Sequence, residues 1–267
     1  MAIPKWTAIG CTAAGLSILA VSARSVPFHR ARHEAKASPT HLGSFAVSAV
    51  APRYNNGGQE NYSLLIPARR LQRDLSDEEI LARFTKGFFS RLSFTPERLL
   101  LSVFPFSLLT DVQAIKETLA LRSQDTASEL VVGPVISDPA SISPKTTPSV
   151  LSLLFRNFLV LDSSLMTPAQ RSQLPGDYAR HARPPHAYVD FAWGGEGLGL
   201  VGCHRFEVRR RKIEQDADAE EAVEITFSSV SCLPRTGLAP SSGLLLRFHV
   251  LYSRLLFSDG IRGVLEG

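Results

Sequence analysis

Apolar residues along this chain fall into three patterns, and each predicts a different kind of element. The first is an unbroken run from Trp6 to Ala23, whose polar members are only Thr7, Thr12, Ser17 and Ser22 and which no charge interrupts until Arg24. The second repeats every three to four residues, as one side of an α-helix does. Ile80, Leu81, Phe84, Phe88 and Leu92 follow it. Ser76 and Glu79 stand ahead of them at capping-box spacing, with Asp77 and Glu78 in the first turn, so a helix is predicted over Ser76 to Leu92. Another is predicted with Thr95 as cap and Pro96 in its first turn, carrying Leu99, Leu100, Val103 and Phe104 and ending near Pro105. Leu244 to Leu265 reads as a long C-terminal helix, with a break or kink at Asp259-Gly260. Ser149 to Leu161, through Leu151, Leu154, Phe155, Phe158 and Leu159, fits a helix better than a strand.

The third pattern alternates, as a half-buried strand does. Ala187 to Trp193 sets Val189, Phe191 and Trp193 on one face, and Tyr188 and Asp190, preceded by His186, on the other. That second face reads as an exposed polar surface. Leu200 to Arg209 and Val223 to Cys232 read as two strands around the charged loop Glu214 to Glu221. Folded about the middle of that loop, Val208 faces Phe227 and Phe206 faces Ser229, making an apolar face that also holds His204 and Ile225. Arg205, Glu207 and Arg209 take the other face. Cys203 then falls opposite Cys232, as a disulfide or as two thiols. Shorter strands are predicted at Ser63 to Pro67, Thr118 to Leu121 and Leu130 to Ile136, with Asp138 to Pro148, Thr167 to Pro185 and Pro234 to Gly243 as irregular connections.

The organisation that follows is an apolar segment over residues 1–23, a flexible linker over 24–60, and a single α+β domain over 61–267. The linker rests on Ala37 to Gly58, where Pro39, Pro52 and Asn55-Asn56-Gly57-Gly58 are poor helix and strand formers. The apolar segment has three readings. As an uncleaved single-pass anchor it spans roughly 27 Å at about 1.5 Å per residue, enough for a thin bilayer, and Arg24, Arg30, Arg32 and Lys36 place the domain on the cytosolic or matrix side. A cleaved secretory signal and a mitochondrial address fit the same residues.

Composition narrows the function classes. Lys and Arg exceed Asp and Glu by 29 to 25, without a concentrated basic face, so no nucleic-acid partner is expected. The 3 cysteines form no CxxC or Cys/His cluster, so neither a metal site nor a cofactor is expected. Gly194-Gly195-Glu196-Gly197 leads into a strand rather than a helix, which excludes a phosphate-binding loop.

The order strand (Tyr188 to Trp193), strand (Leu200 to Arg209), strand (Val223 to Cys232), long helix (Leu244 to Leu265) resembles the end of the helix-grip fold of START-like, Bet v 1-like proteins. The segments Gly202-Cys-His-Arg-Phe-Glu-Val208 and Val223-Glu-Ile-Thr-Phe-Ser-Ser-Val-Ser231 are similar to an uncharacterised family of that fold. The resemblance covers about the last 80 residues, and Ser76 and Pro96 would begin the small helices such folds place early. It implies a curved antiparallel sheet packed against the long C-terminal helix. Between them would lie a cavity for an apolar small molecule or lipid, with Phe191, Trp193, His204, Phe206, Phe227, Phe248 and Tyr252 as candidate ligand-binding residues. The expected function is a membrane-tethered, non-enzymatic module binding such a ligand. The alternative is a small-molecule enzyme on the same scaffold (a hydrolase, cyclase or dehydratase), with His204 or the His186/Asp190 face moving protons.

Overall fold

The computed structural model describes residues 31–72, 75–103, 133–172, 178–195, 199–215, 218–239 and 243–267. The apolar run from Trp6 to Ala23, the strand expected at Thr118 to Leu121, Phe104 and the turn at 196–198 lie outside these residues. No helix among the described residues is long and apolar enough to cross a membrane.

The chain enters through β1 (Arg32–Glu34), α1 (Pro39–Leu42) and α2 (Phe45–Val50), then forms β2 (Gly58–Pro67), α3 (Asp77–Ser90) and α4 (Thr95–Val103). It continues through β3 (Val135–Ile136), β4 (Leu153–Leu154), β5 (Phe158–Ser163), α5 (Pro168–Ser172), β6 (Ala187–Gly195), β7 (Leu200–Gln215), β8 (Asp218–Cys232) and α6 (Gly243–Glu266). The described strands form one sheet in the order β1-β2-β8-β7-β6-β5-β4-β3. Its pairs are antiparallel except β3 with β4, so the sheet is mixed at that edge rather than wholly antiparallel.

α3 forms as its sequence dictates. Ser76 Oγ accepts from the Glu79 amide, and the Glu79 carboxylate accepts from the Ser76 amide, closing the capping box. Its apolar side, Ile80, Leu81, Phe84, Phe88 and Phe89, is fully buried on the sheet against Phe191, Phe206 and Phe227. α6 crosses beside α3, burying Leu256, Phe257, Ile261 and Val264, and Phe257 stacks on Tyr62 of β2. The sheet's apolar face is thus shared by two helices, with α3 over β6 and β7 where the sequence suggested the C-terminal helix alone. α6 passes unbroken through Asp259-Gly260 because the glycine is a contact, not a stop. A Cβ on Gly260 would overlap the Phe84 ring, which lies 2.5 Å from that position. Gly87 likewise has no room for a side chain against the Gly260 and Gly263 backbone.

Three sequence readings are corrected. Ser149 to Leu161 is not a helix: β4 and β5 occupy it, joined by a turn in which Phe155 and Arg156 take positive φ of 49° and 57°. Its apolar residues run without alternation because β5 is buried on both faces, a pattern that periodicity alone reads as helix. The β7–β8 pairing is slipped by two residues from the symmetric guess: Phe206 faces Phe227, Val208 faces Ile225, and Cys203 faces Val230. A shift of two preserves the faces but separates the thiols, and Cys203 and Cys232 are free. Residues 31–58 are not a bare linker either. Ser44 caps α2, whose Phe45, Ala46 and Val47 are buried on the face of the sheet opposite α3.

Candidate functional site

Neighbouring strands align a row of side chains on the helix-covered face: His204 of β7 faces Ser229 of β8, which faces Glu60 of β2. Trp193 of β6 is opposite Gly202, and its indole lies over that residue because no Cβ is there. α6 passes above this end of the sheet and presents His249, Tyr252, Ser253 and Leu256. α3 contributes Phe88, and Phe94 and Glu97 come from the start of α4 and the turn before it. Together they line a partly open cavity of about 180 Å³ whose walls also include Phe158, Leu200 and Phe227.

The walls are aromatic, and the polar atoms among them are few. The His204 ring lies 5.3 Å from Trp193, 5.2 Å from Phe227 and 5.9 Å from Phe158. Its Nδ1 and the Trp193 Nε1 are buried and have no hydrogen-bond partner among the described residues. Burial pushes the His204 pKa well below its ordinary value, so the ring is neutral at physiological pH. Tyr252 donates its hydroxyl to Glu97 Oε2 at 2.8 Å, and His249 Nε2 stands 3.8 Å from Glu60 Oε1. Burial raises Glu97 to about 7, partly offset by the Tyr252 hydroxyl, and raises Glu60 to about 7 against the Ser253 hydroxyl.

A carboxyl whose folded pKa stands above its unfolded value, about 4.3, binds its proton more tightly in the folded state. Its contribution therefore favours folding at acid pH and is lost as pH rises towards about 7. Glu60→Gln is expected to be more stabilising at pH 8 than at pH 5, by about 2.5 kcal/mol, in urea unfolding at the two values.

Of the candidate ligand-binding residues, Trp193, His204, Phe227 and Tyr252 line this cavity. Phe191 and Phe206 do not: both are fully buried beneath Phe84, Phe88 and Phe89. Phe248 is placed on α6 by the backbone alone. Glu60, Glu97 and His249 were missed. Glu60 stands in the segment that the sequence reads as linker, and Glu97 and His249 reach the site from α4 and α6.

The opposite face of the sheet is polar but not exposed. Arg205 donates from Nε and Nη2 to the two oxygens of Asp190, at 2.7 Å each, and its guanidinium lies 4.6 Å from the Tyr188 ring. Tyr178 and Tyr188 donate to Asp162 at 2.5 and 3.0 Å. A bulge between Val160 and Asp162 turns Asp162 to the side of Asp190, which it faces. Glu207 Oε1 stands 3.8 Å from Arg205 Nη1 and 3.7 Å from His186 Nε2, and Arg209 Nε donates to His186 Nδ1 at 3.4 Å. His186 and Asp190 are thus not a pair: Asp190 is held by Arg205, and His186 joins Glu207. The expectation of an exposed face fails because α2 covers it. Comparison of the chain with protein-family models, curated sequences and solved structures finds no match in any of the three.

Proposed function

We propose that this chain is a non-enzymatic helix-grip module that binds a small, mainly apolar molecule carrying one oxygen acceptor. The binding site is the cavity between the sheet and α6. The observation that carries the reading is the pairing of aromatic walls with two unpartnered buried ring nitrogens, on Trp193 and His204. An indole N–H is a donor only, and a neutral imidazole offers one N–H as well. Buried donors without partners are unfavourable, so an entering carbonyl or carboxylate oxygen gains what the empty site lacks. The volume sets the size. A cavity of about 150 Å³ holds benzene, and drug-sized ligands need about 300–1,000 Å³. A single ring or short acyl chain fits about 180 Å³, whereas a sterol or intact phospholipid does not.

Element order supports the helix-grip reading. A strand (β2) is followed by two helices, an antiparallel run ending in β8, and a long helix, and β2 is hydrogen-bonded to β8. The packing explains the small cavity: α3 brings Phe84, Phe88 and Phe89 into space that a lipid would occupy. His204 with a neutral ring and Glu97 near neutrality would also suit proton transfer. However, His186 and Asp190 do not converge, so the binding reading is preferred.

Calorimetry with a matched pair, a monocyclic aromatic ketone and the hydrocarbon of the same shape, tests the proposal. The ketone is expected to bind about 10-fold more tightly, and His204→Leu to remove most of that difference. Equal affinities, or no binding of either, would reject it. The tether is part of the same proposal: the full chain should stay with membranes through a carbonate wash, and a chain starting at Arg24 should not.

A further inference from the structure

We infer that His41, Asp190 and Cys203 form a buried site for a divalent metal of the zinc class, on the polar face of the sheet. One ring nitrogen of His41, one oxygen of Asp190 and Sγ of Cys203 lie within 4.8 Å of one another, and all three side chains are buried. An imidazole, a carboxylate and a thiolate are the donors that a borderline cation takes, at about 2.0–2.3 Å. Tetrahedral ligation would set the donors roughly 3.3–3.7 Å apart, so the widest separation would have to close by about 1 Å on binding. Arg205 donates one hydrogen bond to each oxygen of Asp190 and leaves a second lone pair on each.

Two further observations point to a cation. His41 is fully buried; its Nδ1 lies 3.0 Å from Ser228 Oγ, and its Nε2 has no partner among the described residues. With Nδ1–H donating to that hydroxyl, Nε2 carries a bare lone pair. That is the arrangement of a metal-binding histidine whose far nitrogen is held by the protein. The second observation is charge. Asp162, Asp190 and Glu207 are buried around Arg205, the buried arginine of this face among the described residues. When the metal binds, the Cys203 thiol releases its proton to water. A dication with one thiolate then adds one net positive charge, which offsets the excess of carboxylates.

The same three residue types could serve as nucleophile, base and orienting acid. Burial argues against this: it closes the Cys203 thiol to substrate, where a reactive thiol is partly exposed. The spacing rules gave no hint of the site because its members come from α1, β6 and β7 rather than one local motif.

The full chain, stripped of metal with a chelator and shown folded by circular dichroism, is titrated with Co²⁺. The expected result is one Co²⁺ per chain, with a thiolate-to-cobalt charge-transfer band that Zn²⁺ abolishes by displacement. Cys203→Ser should lose the band and weaken Co²⁺ binding by at least about 100-fold. Cys232→Ser, outside the cluster, should change neither. No saturable band in the folded wild-type chain would overturn the proposal, as would a band that survives Cys203→Ser. If Cys203→Ser fails to fold, Cys232→Ser decides: a band that it abolishes places the thiolate elsewhere and overturns the site.

Discussion

Arg205→Leu is expected to destabilise the fold by about 3–5 kcal/mol at neutral pH, the magnitude for removing one partner of a buried ion pair. The side chain is fully buried and holds both oxygens of Asp190, with Glu207 at 3.8 Å and the Tyr188 ring beneath. Its loss leaves Asp190, Asp162 and Glu207 together without a buried cation among the described residues. Burial already pushes Asp162 and Asp190 above the usual carboxylate range; Arg205 is the main opposing influence on Asp190, and on Asp162 it acts behind the Tyr178 and Tyr188 hydroxyls. The variant should therefore recover part of its stability as pH falls and these acids take up protons. Replacing Asp190 as well, in Arg205→Leu/Asp190→Leu, should recover more, because an apolar pair removes both desolvated charges at once. Urea unfolding of the single and double variants at pH 5 and 7.5 measures all three effects. A single-variant loss below about 1 kcal/mol would mean that the pair is solvated.

Phe45→Ala is expected to cost about 3–5 kcal/mol, the range for emptying a buried aromatic position. Phe45 is fully buried under Tyr178, with ring centroids 5.3 Å apart, and joins Leu159, Leu161, Ala192 and Cys203 in the second core. The effect should exceed simple helix loss, because α2 is the lid over the polar network: opening it exposes Arg205 and Asp190 to water. Thermal unfolding of the variant is the check. A melting temperature within 2 °C of wild type, roughly 0.5–1 kcal/mol for a chain of this size, would show that residues 37–50 rest loosely on the sheet.

Those two residues also mark where the sequence was hard to read. The α3 helix, the β6 strand and the β7–β8 hairpin were legible because each has one apolar and one polar face, so apolar residues recur with a clear period even where, as in β6, both faces are buried. The faces of the hairpin came out correctly despite a pairing slipped by two, since side chains repeat every two residues. β5 was not legible, because Phe158 to Leu161 place apolar residues on both of its buried faces and so erase alternation. The polar face was read as exposed since charge in a strand normally means solvent. Nothing local to Asp190 or Arg205 announces that α2, from a Pro- and Gly-rich stretch far upstream, will cover them. In the cavity, Trp193, His204, Phe227 and Tyr252 were found through strand phase and the resemblance. Glu60 and Glu97 meet the site only through long-range packing, which periodicity does not report.

The filled space between sheet and helices also bounds the ligand of the proposed function. α3 places Phe84, Phe88 and Phe89 on Phe191, Phe206 and Phe227, so most of the space between sheet and helices is solid. What is left lies at the end where Gly202 makes room for the Trp193 indole and α6 brings Tyr252 across.

The sharpest test uses that indole. The chain has 2 tryptophans, Trp6 and Trp193, and Trp193→Phe identifies which ¹H–¹⁵N indole resonance belongs to the cavity. Adding a monocyclic aromatic ketone should move the Trp193 N–H downfield and saturate, as the free donor gains an oxygen, while the matched hydrocarbon leaves its hydrogen-bonding shift unchanged. A Trp193 N–H that responds to neither, or to both alike, would contradict the account.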